Sequence, residues 1–164
     1  MPRKFHFSNS PLVLSTDPDM RNRVQGQADP KPQGLWYSIG HEWAEWCHNN
    51  HYRMVHYRTE LLIPPNKILH LKSGKDIDWF GKKYASRYPY RWNINSEDEI
   101  YHIDWSKVAE EYSGIQISPY IWSRRLSSAN WYYGWDVASG CIWDTSVIKV
   151  HESLSCDEQG KVLG

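Results

Sequence analysis

Residues 104–117 read DWSKVAEEYSGIQI, and both halves of the fold class are written in them. Asp104 is a good N-cap, because its carboxylate can accept from the unpaired N–H groups of a first helical turn. Trp105, Val108, Ala109 and Tyr112 follow at i, i+3, i+4 and i+7, the spacing of one buried helix face. Gly114 stands where a left-handed residue would end that helix. Ile115-Gln116-Ile117 then alternates as a strand does. A helix that stops at a glycine and gives way at once to a strand points to mixed α and β structure.

Working outward, Lys4 to Phe7 and Leu12 to Leu14 are strand-like, and Gly34-Leu35-Trp36-Tyr37-Ser38 is a short aromatic strand behind a proline-rich entry. His41 to Asn50 carries Trp43, Trp46 and Cys47 at helical spacing. Arg53 to Ile63 alternates Val55, Tyr57, Thr59, Leu61 and Ile63 until Pro64-Pro65 stops it. Ile68 to Leu71 reads as a strand. Ser73 opens a helix with Ile77, Phe80 and Tyr84 inward. Cys141 to Val150 is the last strand candidate. The order β, β, helix, β, β, helix, helix, β, β predicts a single α+β domain over residues 1–150, unlike the regular alternation of a doubly wound sheet. Thr16 to Pro32 reads as a long loop. Residues 151–164 lack periodicity and are expected to form a poorly ordered tail.

The chain has 164 residues, with 19 Lys+Arg against 19 Asp+Glu. A single core is possible at that size. Zero net charge removes the electrostatic footprint of a protein that grips duplex nucleic acid by its phosphates. Mean hydropathy is −0.71 and the apolar runs are short, which argues against a membrane protein. No secretory leader is visible behind Met1, and the three cysteines Cys47, Cys141 and Cys156 do not make a disulfide framework. A cytoplasmic setting is therefore expected. The anomaly is aromatic: Trp 10 and Tyr 11 against Phe 3. Tyr and Trp suit positions that are half apolar and half wet, so the excess hints at a ligand that stacks.

Metal and nucleophile chemistry find little purchase. His48 and His51 beside Cys47, with His41 upstream, lack the spacing that puts two imidazoles on one helix face, and surface or packing histidines are the plainer reading. Cys141 sits in an apolar strand context, where a thiol is usually inert. No phosphate loop and no Gly-x-Ser-x-Gly elbow is present. The acidic cluster Glu97-Asp98-Glu99 reads as solvated loop. Two segments remain. Phe5-His6-Phe7-Ser8 sets His6 and Ser8 on one strand face. Lys31 to Ser38 sets Trp36 and Ser38 on one face and runs into the Trp43, Trp46, Cys47 helix.

Those segments resemble the first two motifs of the ADP-ribosyltransferase superfamily, in its poly(ADP-ribose)-polymerase-like branch. Phe-His-Phe-Ser is similar to a first strand with His followed by Gly-Ser. Gly-Leu-Trp-Tyr-Ser, before a helix containing Trp-Cys, is similar to a second strand with Gly-Ile-Tyr-Phe before a helix with Tyr-Cys. Ala138-Ser139-Gly140-Cys141-Ile142-Trp143-Asp144 resembles the final strand. The resemblance implies two small, mostly antiparallel sheets with peripheral helices and a cleft for NAD. It implies that His6 holds the nicotinamide ribose, that Ser8 meets the carboxamide, and that Trp36 stacks on the nicotinamide ring with Tyr37, Ser38 and Trp46 nearby. Phe7 stands in place of a glycine. Ser139 falls where the family has its catalytic glutamate, so Asp136, or failing it Gln116, is the candidate to stabilise a ribosyl cation. The implied function is transfer of one ADP-ribose from NAD+ to a protein or nucleic-acid acceptor. A non-catalytic aromatic cleft that binds a nucleotide, a single strand or a protein partner stays open beside it. Arg124-Arg125, between Trp122 and Trp131-Tyr132-Tyr133, is the patch that either alternative would use.

Overall fold

The computed structural model describes residues 2–90, 99–126 and 130–164. Eight strands among these residues join in one curled sheet: β1 (Lys4–Ser8), β2 (Leu35–Ile39), β3 (Tyr57–Leu62), β4 (Ile68–Leu71), β5 (Gly114–Ile117), β6 (Ser139–Ile142), β7 (Lys149–Val150) and β8 (Leu154–Ser155). The order is β4-β5-β6-β2-β1-β3-β7, with β8 pairing β3. Every pairing is antiparallel except that of β4 with β5. The fold is α+β as the element order implied, but the two separate sheets expected from the resemblance are one. The seam is β6, which pairs with β5 on one side and β2 on the other. Gly140 makes that seam possible: a Cβ there would fall 2.2 Å from Cζ of Tyr37, whose ring crosses β6 to donate to Oε1 of Gln116 at 2.9 Å.

Among the described residues four α-helices accompany the sheet: α1 (Pro18–Arg21), α2 (Glu42–Asn49), α3 (Gly74–Lys83) and α4 (Trp105–Glu111). Ser73 caps α3 by accepting from the Asp76 N–H, and Ile77 and Phe80 are its buried side. In α4, Trp105 and Val108 are fully buried. Asp104 is the N-cap residue of α4 but its carboxylate accepts from no helix N–H; the Ser106 Oγ in the first turn donates to it instead. Gly114 is not the left-handed stop expected. The helix ends at Tyr112 in extended backbone, and Gly114 begins β5, where a Cβ would meet the Cys141 carbonyl at 2.7 Å.

Directly paired residues share a sheet face, and faces alternate along a strand. Leu69, Leu71, Ile115, Ile117 and Cys141 therefore lie on one face with Trp36, Ser38, Phe5 and Phe7. Over β4, β5 and β6 that face is covered by Ile77, Phe80 and Tyr84, by Trp105 and Val108, and by Trp131, Tyr132, Trp135 and Trp143. Over β1 it carries a smaller cluster of Phe5, Phe7, Ala44, Val55 and Cys156, with Trp43 against it. The reverse face holds Tyr37, Ile39, Leu61, Ile68, Ile142 and Ile148, with Leu12 and Leu14 packed on them.

Several boundaries differ from expectation. Leu12 to Leu14 covers the reverse face without joining the sheet. The third strand begins at Tyr57, while Val55 turns into the small cluster. The stretch from Cys141 to Val150 breaks after Ile142, because Asp144 caps a short 3-10 turn at Thr145–Val147 before β7. The expected loop 16–32 contains α1, capped by Asp17. The expected loose tail is also packed: β8 pairs with β3, Cys156 is buried, and Arg58 donates to the Gly160 carbonyl at 3.3 Å. Its anchors are single residues with no repeat, so no periodicity announces them. Among the described residues no helix is long and apolar enough to cross a membrane.

Candidate functional site

The two packed clusters leave a gap on their shared sheet face, and a cavity of about 380 Å³ fills it. That is within the usual range for small-molecule pockets, roughly 300–1,000 Å³. Its floor lies where β1 and β2 part. The ladder between these strands pairs Lys4 with Ile39 and Phe5 with Ser38 and goes no further. Past that point the His6 imidazole donates from Nδ1 to the Trp36 carbonyl at 2.7 Å. A side chain thus spans the gap where a strand N–H would otherwise have paired.

That bond has a chemical consequence. With Nδ1 donating to a carbonyl, neutral imidazole leaves Nε2 as an acceptor. Burial holds the His6 pKa below its ordinary value, against the opposing pull of the Trp36 carbonyl, so the neutral form is favoured.

Three stretches far apart in sequence meet at the cavity: Phe5, His6 and Phe7; Gly34 to Ser38; and Gly134 to Val137 with Ser139. Trp36 is half-buried, met edge-on by Trp135 at 4.9 Å between centroids, with the Lys31 ammonium 5.5 Å from its ring. Trp43, Tyr52 and Arg53 form the opposite lip. Of the residues singled out from sequence, His6, Phe7, Trp36, Tyr37, Ser38, Asp136 and Ser139 border this cavity.

Three do not. Ser8 lies beyond it, its hydroxyl donating to the Ser10 carbonyl at 2.7 Å. Gln116 is on the reverse face and does not reach the lining, so it is no substitute for a carboxylate in the cavity; His6 and Tyr37 share that face by register but border the opening between β1 and β2. Trp46 stacks behind Trp43, with centroids 5.2 Å apart and planes within 6°.

The hydroxyls are also differently employed than their positions suggested. Ser38 accepts from the Trp43 N–H at 3.0 Å, so it ties the start of α2 to β2. Ser139 donates to the Val137 carbonyl at 3.0 Å. Tyr37 is buried, which pushes its phenol pKa well up and keeps it neutral.

Among the described residues Asp136 is the one carboxylate on the lining. Arg125 approaches its Oδ1 through both terminal nitrogens at 3.4 Å, and donates to the Tyr120 hydroxyl at 2.7 Å. Tyr120 in turn donates to the Trp135 carbonyl at 2.6 Å. The patch proposed around Arg124-Arg125 is thereby divided: Arg124 pairs with Asp78 in two bonds of 2.8 Å, and Trp131 and Tyr132 are core. Sequence reasoning missed Lys31, Tyr52, Arg53 and Trp135 as lining residues. The turn after α2 that folds Tyr52 back onto it has no pattern of its own.

Of the histidines considered for metal, His41 stacks on Phe5 and lies 3.0 Å from the Arg58 guanidinium, and His48 faces Glu158 at 3.5 Å. Among the described residues, no group of three or more His, Cys, Asp or Glu side chains is placed to hold a metal ion. Burial pushes the Cys141 thiol far up and the Cys47 thiol up to about 11, so neither is a ready nucleophile. Glu97 and Asp98 of the acidic cluster lie outside the described residues. Comparison with protein-family models, with curated proteins and with solved structures returns no significant match.

Proposed function

We propose that the cavity between β1 and β2 binds NAD+ and that the chain transfers a single ADP-ribose from it to an acceptor, releasing nicotinamide. The observation that carries this reading is the meeting of Phe5–Phe7, Gly34–Ser38 and Asp136–Ser139 in one aromatic cavity, since these are the segments that resemble the family's motifs. The charges agree with it. Lys31 and Arg53 line the cavity, and among the described residues neither has a carboxylate within ion-pair distance. A ligand with a flat ring and an anionic group, such as a pyridine nucleotide, matches rings flanked by unpaired cations.

In this reading the nicotinamide ring lies on Trp36 and a ribose hydroxyl donates to Nε2 of His6. The bond between C1′ of the ribose and the nicotinamide nitrogen breaks, and its electron pair leaves with neutral nicotinamide. The positive charge that develops on the ribose is stabilised by a carboxylate. Asp136 supplies it through Oδ2, both of its Arg125 contacts being to Oδ1. The acceptor then attacks C1′ and loses a proton. Arg125 dampens the pull of Asp136, and Ser139 offers no charge, which together make a slow, single transfer the expected outcome.

The pairing of Asp136 with Arg125 also favours a second reading, in which the cleft binds a nucleotide without chemistry. Incubation with NAD+ and chromatographic measurement of free nicotinamide separates the two. Release above the uncatalysed rate supports the transferase. Saturable NAD+ binding with no release supports the binding module, and no binding at all rejects both.

A further inference from the structure

On the outer lip of the cavity the chain builds an aromatic ledge whose rings take no part in the chemistry above. Trp43 and Trp46 stack within α2, and Tyr52 meets both edge-on, at 5.8 Å and 5.5 Å between centroids. The guanidinium of Arg53 lies 4.9 Å from the centre of the Tyr52 ring. The ledge is held by backbone: Asn50 donates to the Trp46 carbonyl, His51 takes a left-handed conformation with φ of 50°, and the Tyr52 N–H then returns to the Cys47 carbonyl at 3.0 Å. These bonds fold the chain back on its own helix and fix three rings in one place.

The cluster is left facing solvent. Tyr52 is 56% exposed and Trp43 and Trp46 are half-buried, whereas the tryptophans of the main core are covered. Rings that are ordered, contiguous and wet are what a stacking ligand needs, because every nucleobase has a π face and pays little to settle on one. The charge is of the right sign, since Arg53 on the ledge and Lys31 across the cavity mouth are the cations without carboxylate partners noted above. Glu45, exposed on α2, and Asp136, on the cavity lining and held by Arg125, are opposing charges. Zero net charge on the whole chain argues against a long polyanion track and for a contact of one or two phosphates.

We propose that the ledge of Trp43, Trp46, Tyr52 and Arg53 seats an unpaired base of a single-stranded nucleic acid and so brings the acceptor to the mouth of the cavity. The word acceptor rests on the reading of the cavity as an NAD+ site; the binding of a single strand does not. A duplex is excluded as the occupant because its base faces are already stacked. An unstructured polypeptide is disfavoured because the ledge offers flat rings and a guanidinium rather than slots for side chains.

The test is fluorescence anisotropy with labelled eight-nucleotide single strands of one mixed sequence, as DNA and as RNA, against full-length protein. Controls are the same sequence as duplex, an abasic strand with the same phosphates, and fluorescein-labelled casein as an unstructured polypeptide. Expected is binding of one or both single strands, with a salt slope of about −1.4, two phosphates at roughly −0.7 each. Tyr52→Ala, at an exposed position, should weaken it by about 5- to 150-fold, the worth of one stacked base. Trp46→Leu, which keeps apolar volume behind Trp43, should weaken it in the same direction while leaving NAD+ affinity unchanged. Equal binding of the abasic strand or the duplex, binding of casein alone, or no loss in Tyr52→Ala would overturn the proposal. Intact NAD+ binding and nicotinamide release without any strand binding would overturn it and leave the cavity reading standing.

Discussion

Trp105, Trp131, Trp135 and Trp143 cover one end of a sheet face, while Trp36 and Trp43 border a gap at the other end, with Trp46 stacked behind Trp43. The first set is almost wholly buried, and its partners are other rings: Phe80 lies 5.5 Å from Trp105 and 5.1 Å from Trp131. The second set is half-buried and keeps ring surface toward an opening. The residue type is the same, so what differs is the supply of covering elements. Helices α3 and α4 with Ile121, Trp131, Tyr132 and Trp135 close one end, whereas among the described residues the other is reached by the short α2, by Val55 and by Cys156. Aromatic content alone therefore does not locate a site. An aromatic cluster left uncovered beside a break in a strand ladder is what sets the candidate apart.

The comparison breaks most easily at its covered end. Trp105→Ala should cost about 3–5 kcal/mol of stability, the usual range for emptying a large ring from a core. Chemical denaturation of that variant beside Tyr52→Ala should give a large loss in the first and little change in the second. Comparable losses would mean that the open rings are core after all. At the seam, Gly140→Ala forces a methyl into the Tyr37 ring and should cost about 1–3 kcal/mol or more, as overpacking does. A fully stable Gly140→Ala with the Tyr37–Gln116 bond preserved would show that β6 tolerates a wider spacing than the one described.

At the open end, Asp136→Asn keeps shape and removes charge. On the proposed transferase reading, turnover should fall by roughly a hundredfold while NAD+ affinity stays nearly unchanged, the signature of a contact made in the transition state. Equal loss in binding and rate would instead assign Asp136 to holding Arg125 and Tyr120. The smallest effect is on pH dependence. His6, His70 and His102 all have pKa values lowered chiefly by burial. Their unfolded forms therefore bind protons first, so stability should be full above about pH 6.5 and decline as pH falls toward the folded values. Melting temperatures between pH 7.5 and 5 should show that decline, and His6→Asn should flatten part of it. A rise in stability on acidification would contradict the neutral, carbonyl-bonded His6.

Much of this contrast is written in local pattern, and the remainder is not. The 3.6-residue spacing of Trp105, Val108 and Tyr112 and the serine before α3 mark helices whose packing follows from their own sequence. Strand alternation in 57–62 and 68–71 is equally direct. It cannot reveal which strand pairs with which, and so the joining of all strands through β6, and the placement of Gln116 behind the sheet, were beyond it. Gly114 misled because a glycine serves a close approach as readily as a helix stop, and neighbouring residues do not distinguish the two uses. In the cleft, motif resemblance brought His6, Trp36 and Asp136 together across 130 positions of chain. Lys31, Tyr52 and Arg53 sit there through one turn and one loop, which carry no repeat or spacing.

The claim that the uncovered end of the sheet is a nucleotide site is tested most directly by calorimetric titration of NAD+ into the wild-type chain and into Trp36→Ala. Saturable one-to-one binding is expected in the wild type, with a loss of about 1–3 kcal/mol, or roughly 5- to 150-fold in affinity, in a folded Trp36→Ala. Absence of binding in the wild type, or the same affinity in both proteins, would contradict it.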